Sequence, residues 1–408
     1  MSWPRDASVA FILATILLDA LGIGVMLPVL PRLVSTFLGS DLGAASTFYG
    51  AFVAAYSAMQ LLFAPILGGL SDRLGRRPVI LISLLGAAIN YALLAVAPGL
   101  GWLFVGRVIA GITGASFSAA GAYIADITPP ERRAQSFGLL GAATGIGFIL
   151  GPALGGLLGD VHVRLPFVVA AGLNLVNFFY GLLMLPESLP RERRRPFCLR
   201  RTNPLVSLAR LGRRPIVLGL AGALACVHMA QQILQSVWAL FTEARFGWQS
   251  LNIGVSLAVA GLGMALVQGG LMPFMTARFG VRRAFLFGLA LGAASLVGFG
   301  LADSGLAMYV LLLPSALGGM AAPAAQALIS SEVEPSEQGE LQGSLATLAS
   351  LAAVAGPLVG GGLFARFAPA VAKPCIPGAP FFAAACFNAA GLLLALWLFA
   401  RRPLAAAR

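Results

Sequence analysis

Asp19 is a carboxylate near the middle of an otherwise uncharged apolar run. The run extends from 9 to 30, and the next ionisable side chain is that of Arg32. A run of this length crosses the hydrocarbon core of a bilayer as a helix, where a central carboxylate costs about 2.5–3.5 kcal/mol on insertion scales. This cost is tolerated mainly where the group faces a watery, protein-lined cavity. The pattern predicts a proton-binding Asp19; the alternative is a protonated or hydrogen-bonded structural Asp.

Arg107 is the only basic residue that falls deep inside an apolar run. A cation near a buried carboxylate changes the affinity of that carboxylate for protons. We therefore expect Arg107 to be the electrostatic partner of Asp19, and both residues to serve proton coupling.

A stripe of polar side chains lies in the seventh apolar run. His228, Gln231, Gln232 and Gln235 follow the i, i+3, i+4, i+7 spacing of one helix face. Polar groups that face lipid are costly, so we expect His228, Gln231 and Gln235 to face a cavity and bind substrate. The alternative is that they are structural hydrogen-bonding links between helices.

The amino-acid composition is that of a membrane protein. The chain of 408 residues is 59% hydrophobic and 10% charged, which is far from the composition of soluble proteins. It holds twelve apolar runs of about 20 residues, and the first lacks the cleavage site of a signal peptide. We predict an all-α membrane protein with twelve transmembrane helices at 8–30, 47–69, 79–98, 101–125, 136–158, 165–185, 214–241, 250–274, 284–302, 306–330, 341–365 and 379–400.

The basic residues behind the net charge of +12 are concentrated on one side of the predicted membrane topology. Most of the 27 basic residues fall in alternate loops and at the termini, which is the positive-inside asymmetry. It predicts a multi-pass inner-membrane protein with both termini and the 186–213 loop in the cytoplasm. Nucleic acid is not an expected partner, because the scattered basic turns offer no contiguous basic face.

The reactive side chains are sparse. The four cysteines and two histidines offer neither a disulfide framework nor a metal-ligand spacing. No nucleophile–base set appears, and no loop is long enough for a soluble domain. We expect no metal, no cofactor and no enzymatic activity, and we expect a monomer.

Two features recur 205 residues further along the chain. Arg73 and Gly75 return as Arg278 and Gly280, and the glycine–proline pattern at 151–156 returns at 356–361. Two parallel six-helix halves are a layout of secondary transporters. We predict a lobe at 1–185, a cytoplasmic linker at 186–213 and a lobe at 214–408, with a substrate path between the lobes. Embedded charge is confined to the first half, because the positions of Asp19, Asp72 and Arg107 are filled later by Leu224, Ala277 and Leu312.

A charged, glycine-containing turn separates the second and third runs, with the pattern Gly68-x-x-x-Asp72-Arg73-x-Gly75-Arg76-Arg77. Glycine permits a tight reversal, and the dipole of a helix N-terminus favours a carboxylate such as Asp72. We expect Arg73 to pair with Asp126, and the next two arginines to meet the lipid surface. The predicted cytoplasmic gate consists of Asp72, Arg73, Arg76, Arg77, Asp126 and Arg133.

This turn resembles the signature loop of the major facilitator superfamily. Residues 126–133 are similar to the loop that pairs with it in the drug/proton antiporter branch, and the resemblance implies that these charges lock the cytoplasmic side in the outward-open state. The segment from Arg107 to Gly114 resembles an arginine motif linked there to proton transfer. The antiporter motif, whose small residues allow close helix approach and whose proline allows a kink, is matched by Gly147, Gly151, Pro152, Gly155 and Gly156.

Segments along the chain, apart from the linker and the ends, are similar to tetracycline/proton antiporters: 18–24, 111–115, 245–248 and 341–343. Three positions depart from that family, because Asn90 replaces an Asp and Met264 and Gly292 replace a His and an Asp. Coupling would then depend on Asp19, and Asn90 would join the uncharged groups that contact substrate. The likeness implies that the transport path is lined or served by Asp19, Gln60, Arg107, Thr113 and Gln268.

These observations predict a proton-coupled antiporter that exports a drug-like compound, of the tetracycline type, across the inner membrane. Protonation of Asp19 from outside would favour return to the inward-facing state, while substrate competes for the same cavity. Two alternatives stay open: a transporter of another small metabolite or drug with the same fold, and a membrane sensor that transports nothing.

Overall fold

The computed structural model describes residues 5–39, 41–114, 116–129, 132–194, 215–334, 337–368 and 375–401. Within these ranges the regular structure is helical, with no β-strand. Residues 195–213 of the predicted linker lie outside them.

The helices of the first half are α1 (Arg5–Thr36), α2 (Leu42–Leu74), α3 (Arg76–Val96), α4 (Leu100–Thr113), α5 (Ser116–Ile127), α6 (Arg133–Val161) and α7 (Leu165–Met184). Those of the second half are α8 (Pro215–Phe246), α9 (Ser250–Leu266), α10 (Met272–Phe279), α11 (Val281–Leu301), α12 (Gly305–Gly318), α13 (Ala321–Ser331), α14 (Gln338–Phe367) and α15 (Ala379–Arg401). A short 3₁₀ turn lies at Arg191–Arg193, and a π-helical turn at Val267–Leu271 joins α9 to α10.

The described ranges contain 12 helical segments that are long and apolar enough to cross a membrane. The predicted number and order of spans are therefore confirmed. Most helices extend beyond their predicted spans: the run predicted at 47–69 lies inside α2, which begins at Leu42 and ends at Leu74. Hydropathy detects only the part of a helix that suits hydrocarbon, whereas the backbone hydrogen bonds continue into the polar zone on either side.

The chain forms two compact units. As far as their residues are described, the first comprises Met1–Ser40, Ala55–Asn203 and Trp248–Ala258, and the second comprises Asp41–Ala54, Pro204–Gly247 and Val259–Arg408. Each unit thus contains most of one sequence half together with the first turns of α2 or α9 from the other half. The lobe boundaries drawn at 185 and 214 do not anticipate this exchange, and they stay predictions.

Close contact between α1 and α6 depends on glycine. A Cβ atom built on Gly147 would lie 2.6 Å from the Ala20 Cβ, and one built on Gly151 would lie 2.6 Å from the Leu21 carbonyl oxygen. On a neighbouring face of α6, a Cβ on Gly156 would lie 3.0 Å from the Leu251 Cα at the start of α9. The glycines of the predicted antiporter motif therefore let α6 pack backbone to backbone in the first unit.

The fourth and tenth spans are interrupted at corresponding positions. The former breaks at Gly114, between α4 and α5, and the latter breaks at Gly319, between α12 and α13. These two glycines are separated by the same 205 residues as the two arginine turns. The break therefore belongs to the duplicated unit, and it places the N-terminus of α5 inside the first unit.

We expect Gly151→Ala to destabilise the first unit by about 1–3 kcal/mol, because the added methyl group has no room against α1. Gly145→Ala on the same helix is the matched control, since a Cβ there meets no atom within 4 Å. The thermal unfolding midpoint of the purified protein in detergent should fall for the first variant only. Equal midpoints for the two variants would contradict the tight α1–α6 contact.

Candidate functional site

Asp19 lies on α1, partly buried, and faces the first residue of α5. Its side chain has the Ser116 hydroxyl as a hydrogen-bonding neighbour, and Ser116 itself is only 3% exposed. The N-terminus of a helix carries a partial positive charge. The break at Gly114 therefore provides Asp19 with both a donor and a favourable dipole in a segment that would otherwise be apolar.

Arg107 is held on α4 by an amide from α3. Its guanidinium donates two hydrogen bonds to the Asn90 Oδ1, at 2.9 and 3.3 Å, and a third to the Met26 sulfur at 3.0 Å. Arg107 is 3% exposed and Asn90 is 1% exposed. In this structure Asn90 thus orients a buried cation, whereas the sequence predicted that it contacts substrate.

Two tyrosines complete the polar centre of the first unit. Tyr56 and Tyr91 both lie within electrostatic range of Asp19 and Arg107. The Arg107 guanidinium carbon lies 4.9 Å from the centroid of the Tyr56 ring, a cation–π distance. A Cβ on Gly22 would fall on the Tyr91 hydroxyl, so this ring reaches α1 within one turn of Asp19.

Gln60 connects Tyr56 to the break in the fourth span. Its Nε2 donates to the Tyr56 hydroxyl oxygen at 3.2 Å and to the carbonyl oxygen of Gly114 at 3.3 Å. Gln60 thereby satisfies a carbonyl that the interrupted helix leaves without its intrahelical donor. Gln60 thus contacts Tyr56 in the polar centre of the first unit, and its predicted place on the transport path stays a prediction.

Thr113 has a packing role in this structure. Its hydroxyl donates to the Ile109 carbonyl oxygen at 2.9 Å, and its side chain fills the space beside Gly86 of α3. The substrate contact of Thr113 stays a prediction. Ser116, three residues later, has the hydroxyl that faces Asp19.

Three members of the polar stripe of α8, together with Gln268 of the π-helical turn, have no hydrogen-bond partner among the described residues. His228 and Gln231 are partly buried, whereas Gln235 and Gln268 are exposed. None of the four makes a hydrogen bond with another described residue. Gln232 instead packs against Gly356, whose Cβ would lie 2.5 Å from the Gln232 Cβ. His228, Gln231 and Gln235 therefore do not form, with described residues, the interhelical hydrogen bonds that the structural alternative requires.

The charged turn between α2 and α3 is organised by Arg76. Its guanidinium lies 2.6 Å from the Asp72 carboxylate and 3.2 Å from that of Asp126. Arg73, which was predicted to pair with Asp126, has no ion-pair partner among the described residues. The expected pairing is therefore wrong in this structure. The reversal at Gly75, with φ of 115°, makes Arg76 the first residue of α3 and turns its side chain back towards α2.

The segment after α7 also contacts this turn. The sequence analysis did not predict these contacts. Glu187 accepts a hydrogen bond from the Arg76 backbone N–H at 2.8 Å, and Ser188 donates to Asp126 at 3.2 Å. A Cβ on Gly75 would fall on the Glu187 carboxylate. One feature of the sequence could have indicated this contact, namely an acid just after the sixth apolar run in a chain with an arginine-rich turn on the same side.

The two remaining gate arginines bind backbone. Arg77 donates to the Leu182 carbonyl oxygen at 2.6 Å, and Arg133 donates to that of Thr128 at 3.3 Å. The charge cluster of the first unit therefore consists of Asp72, Arg76 and Asp126, with Glu187 and Ser188 attached. Arg133 lies beside the cluster without an ion pair in the described structure.

Metal-binding geometry is not found in the described ranges. No group of three or more His, Cys, Asp or Glu side chains there could hold an ion. The polar groups that these described residues present are the carboxylate of Asp19, the buried guanidinium of Arg107, and the amides and imidazole of α8.

The sequence model of the Major Facilitator Superfamily matches residues 11–275 and 271–408. The chain belongs to this superfamily. It is therefore a multi-pass membrane transporter of a small molecule, and not an enzyme. The fold agrees, because a bacterial homologue of the human lysosomal transporter Spinster superposes with a TM-score of 0.80 over 100% of both chains at 18% identity.

Among curated relatives, the chain is 44% identical to the class C tetracycline resistance protein of Escherichia coli, over 88% of this chain and 89% of that protein. It is 38% identical to the class D tetracycline resistance protein of Salmonella ordonez, over 98% of each. It is also 29% identical to multidrug resistance protein 1 of Bacillus subtilis, over 88% of this chain and 90% of that protein.

We expect Arg76→Gln to slow transport more than Arg73→Gln, although both remove one charge from the same turn. Only Arg76 bridges two acids, and its side chain is 13% exposed. Loss of about 1 kcal/mol of cluster stability corresponds to an effect of about fivefold. Initial transport rates in vesicles, normalised to the amount of protein, measure the difference. Equal loss in the two variants would mean that the turn acts only through its net charge.

Proposed function

We propose that the protein is a proton-coupled antiporter that exports a drug-like compound, with tetracyclines as the first candidate. The observation that carries the proposal is the position of Asp19 against the start of α5, in a chain whose relatives at 38–44% identity are named tetracycline resistance proteins. An intramembrane carboxylate with a prepared partner is typical of a proton relay.

The proton cycle follows from the neighbours of Asp19. In the charged state, the carboxylate accepts a hydrogen bond from Ser116 and is stabilised by the start of α5. When a proton binds, the charge disappears and this stabilisation becomes weaker. Protonation therefore changes the energetic link between α1 and the fourth span, which is the kind of local change that shifts a conformational equilibrium.

Arg107 is the fixed positive charge of this cycle. Asn90, Met26 and Tyr56 hold its guanidinium, so the charge cannot move away when Asp19 becomes neutral. We assign Asn90 a positioning role on this basis. An acid at the same position would neutralise Arg107, whereas the amide orients it and leaves its charge intact.

The drug would be recognised by the second unit. His228, Gln231, Gln235 and Gln268 have donors and acceptors with no described partner, and unpaired polar groups favour a ligand that can pair with them. We propose that hydrogen bonding and shape determine recognition at this site. The same chemistry supports acceptance of more than one drug scaffold.

Two of the positions that differ from the tetracycline/proton antiporters support export of a drug other than tetracycline. Met264 contacts the interrupted tenth span, where its Cε lies 2.9 Å from the Cβ position of Gly319. Gly292 leaves room for the Asn388 amide, whose nitrogen lies 2.9 Å from the Gly292 Cβ position. Neither residue offers the imidazole or carboxylate that could hold a metal–drug complex.

We further propose that the protein works as a monomer in the inner membrane, with both termini in the cytoplasm. The positive-inside distribution of its arginines supports this orientation, and no coupling step described above requires a second copy.

We expect Asp19→Asn to abolish proton-driven drug export while the protein remains folded, because an amide cannot carry the proton. Asp303→Asn, in the exposed loop before α12, is the matched control and should export at the wild-type rate. Tetracycline accumulation in everted vesicles with an imposed proton gradient measures this. Full export by the Asp19 variant would contradict the proposed proton site.

Transport should depend little on magnesium beyond its effect on the free drug. The polar groups assigned to recognition are neutral amides and an imidazole, and divalent magnesium prefers carboxylate oxygens. Vesicle export at a fixed proton gradient, with and without chelation of magnesium, is the measurement. Strict dependence on the metal complex would show that other residues replace the missing acids.

A further inference from the structure

The turn between α10 and α11 repeats the basic turn of the first unit without the acid at the position of Asp72. Arg278 and Arg282 lie 205 residues after Arg73 and Arg77, and Ala277 occupies the position that corresponds to Asp72. In the first unit, Asp72, Asp126 and Glu187 bind the turn at Arg76. In the second unit, Val281 corresponds to Arg76, so this neutralisation has no equivalent.

The arginines around this second turn have no ion-pair partner among the described residues. This holds for Arg278, Arg282 and Arg283, and also for Arg401 at the end of α15. The side chains of Arg278, Arg283 and Arg401 are exposed, and that of Arg282 is partly buried. Four positive charges on neighbouring helix ends thus lack a negative partner within the described part of the protein.

Two of these arginines are held in place by aromatic rings of α15. The guanidinium carbon of Arg282 lies 4.2 Å from the centroid of the Phe399 ring, and that of Arg401 lies 4.3 Å from the centroid of the Trp397 ring. Phe399 is 3% exposed, whereas Trp397 is 49% exposed. The rings contact the guanidinium faces, so the in-plane N–H groups stay available to another ligand.

We propose that Arg278, Arg282, Arg283 and Arg401 form a binding site for the headgroup of an anionic phospholipid. Phosphate oxygens match the planar donors of a guanidinium in bidentate geometry. Basic clusters at the ends of transmembrane helices bind anionic headgroups, and an exposed tryptophan such as Trp397 is typical of the interface where those headgroups lie. The protein is a multi-pass membrane protein, so the ligand is always present at high local concentration.

The internal repeat explains why the second unit would need the lipid. In the first unit, acids of the protein itself bind the turn at Arg76, and Glu187 takes part through the Arg76 backbone. The second unit keeps the arginines that correspond to Arg73 and Arg77 on a turn with positive φ, 81° at Gly280, but Ala277 and Val281 stand at the positions of Asp72 and Arg76. We infer that a lipid phosphate performs for the α10–α11 turn what Asp72 and Asp126 perform for the α2–α3 turn.

The test compares the thermal stability of the full-length protein in nanodiscs of phosphatidylcholine with that in discs containing phosphatidylglycerol. Wild-type protein should melt about 2–4 °C higher in the anionic discs. The Arg282→Gln/Arg401→Gln double variant should lose most of this shift. Arg245→Gln/Arg366→Gln is the matched control, because both residues are exposed arginines of the same unit with no described ion-pair partner, and it should retain the shift.

Two further measurements complete the test. Arg282→Lys/Arg401→Lys keeps the charge but loses the planar fork, so it should fold normally and show a reduced shift. Inorganic phosphate at millimolar concentration, added to phosphatidylcholine discs, should leave the melting temperature unchanged. The proposal is overturned if the glutamine double variant keeps the full shift, if the control pair loses as much, or if free phosphate reproduces the effect.

Discussion

The cost of a carboxylate inside a bilayer is the constraint on which the first unit depends. Asp19 cannot be solvated by hydrocarbon, so the protein must supply donors and dipoles around it. The break in the fourth span does so by presenting Ser116 at the start of α5. Gln60 stabilises the break from α2, and Asn90 holds the buried Arg107 guanidinium from α3. The break, the Gln60 bond and the held arginine all lie in the polar centre of the unit that contains this acid.

Glycine contacts bring the surrounding helices close enough for this arrangement. Gly147, Gly151 and Gly155 let α6 approach α1 along the segment that carries Asp19. In the proposed cycle, protonation of Asp19 weakens its link to the fourth span. A conformational shift that follows from this requires helices that are tightly packed but have two available arrangements. The glycines that match the antiporter motif and the proposed proton site therefore lie on one pair of closely packed helices, α6 and α1.

Much of this architecture could be predicted from the sequence. The twelve spans follow from hydropathy and the duplication from a constant spacing, and the proposed role of Asp19 rests on the cost of buried charge. The residues that escaped prediction depend on side-chain direction. Arg76 replaces Arg73 as the partner of Asp126 because Gly75 reverses the chain, and Ser116 faces Asp19 only because the helix is interrupted just before it. Neither a break nor a reversal angle is determined by composition or periodicity.

The most direct test of the central claim is whether drug binding displaces a proton from Asp19. Purified protein in weakly buffered detergent solution, with a pH indicator, would be mixed with tetracycline across a series of pH values. We expect the wild-type protein to release protons over part of the pH series and the Asp19→Asn variant to release none. The Asp303→Asn variant is the control and should release protons normally. Undiminished release by the Asp19 variant would contradict the central claim, as would drug binding to the wild-type protein without any release.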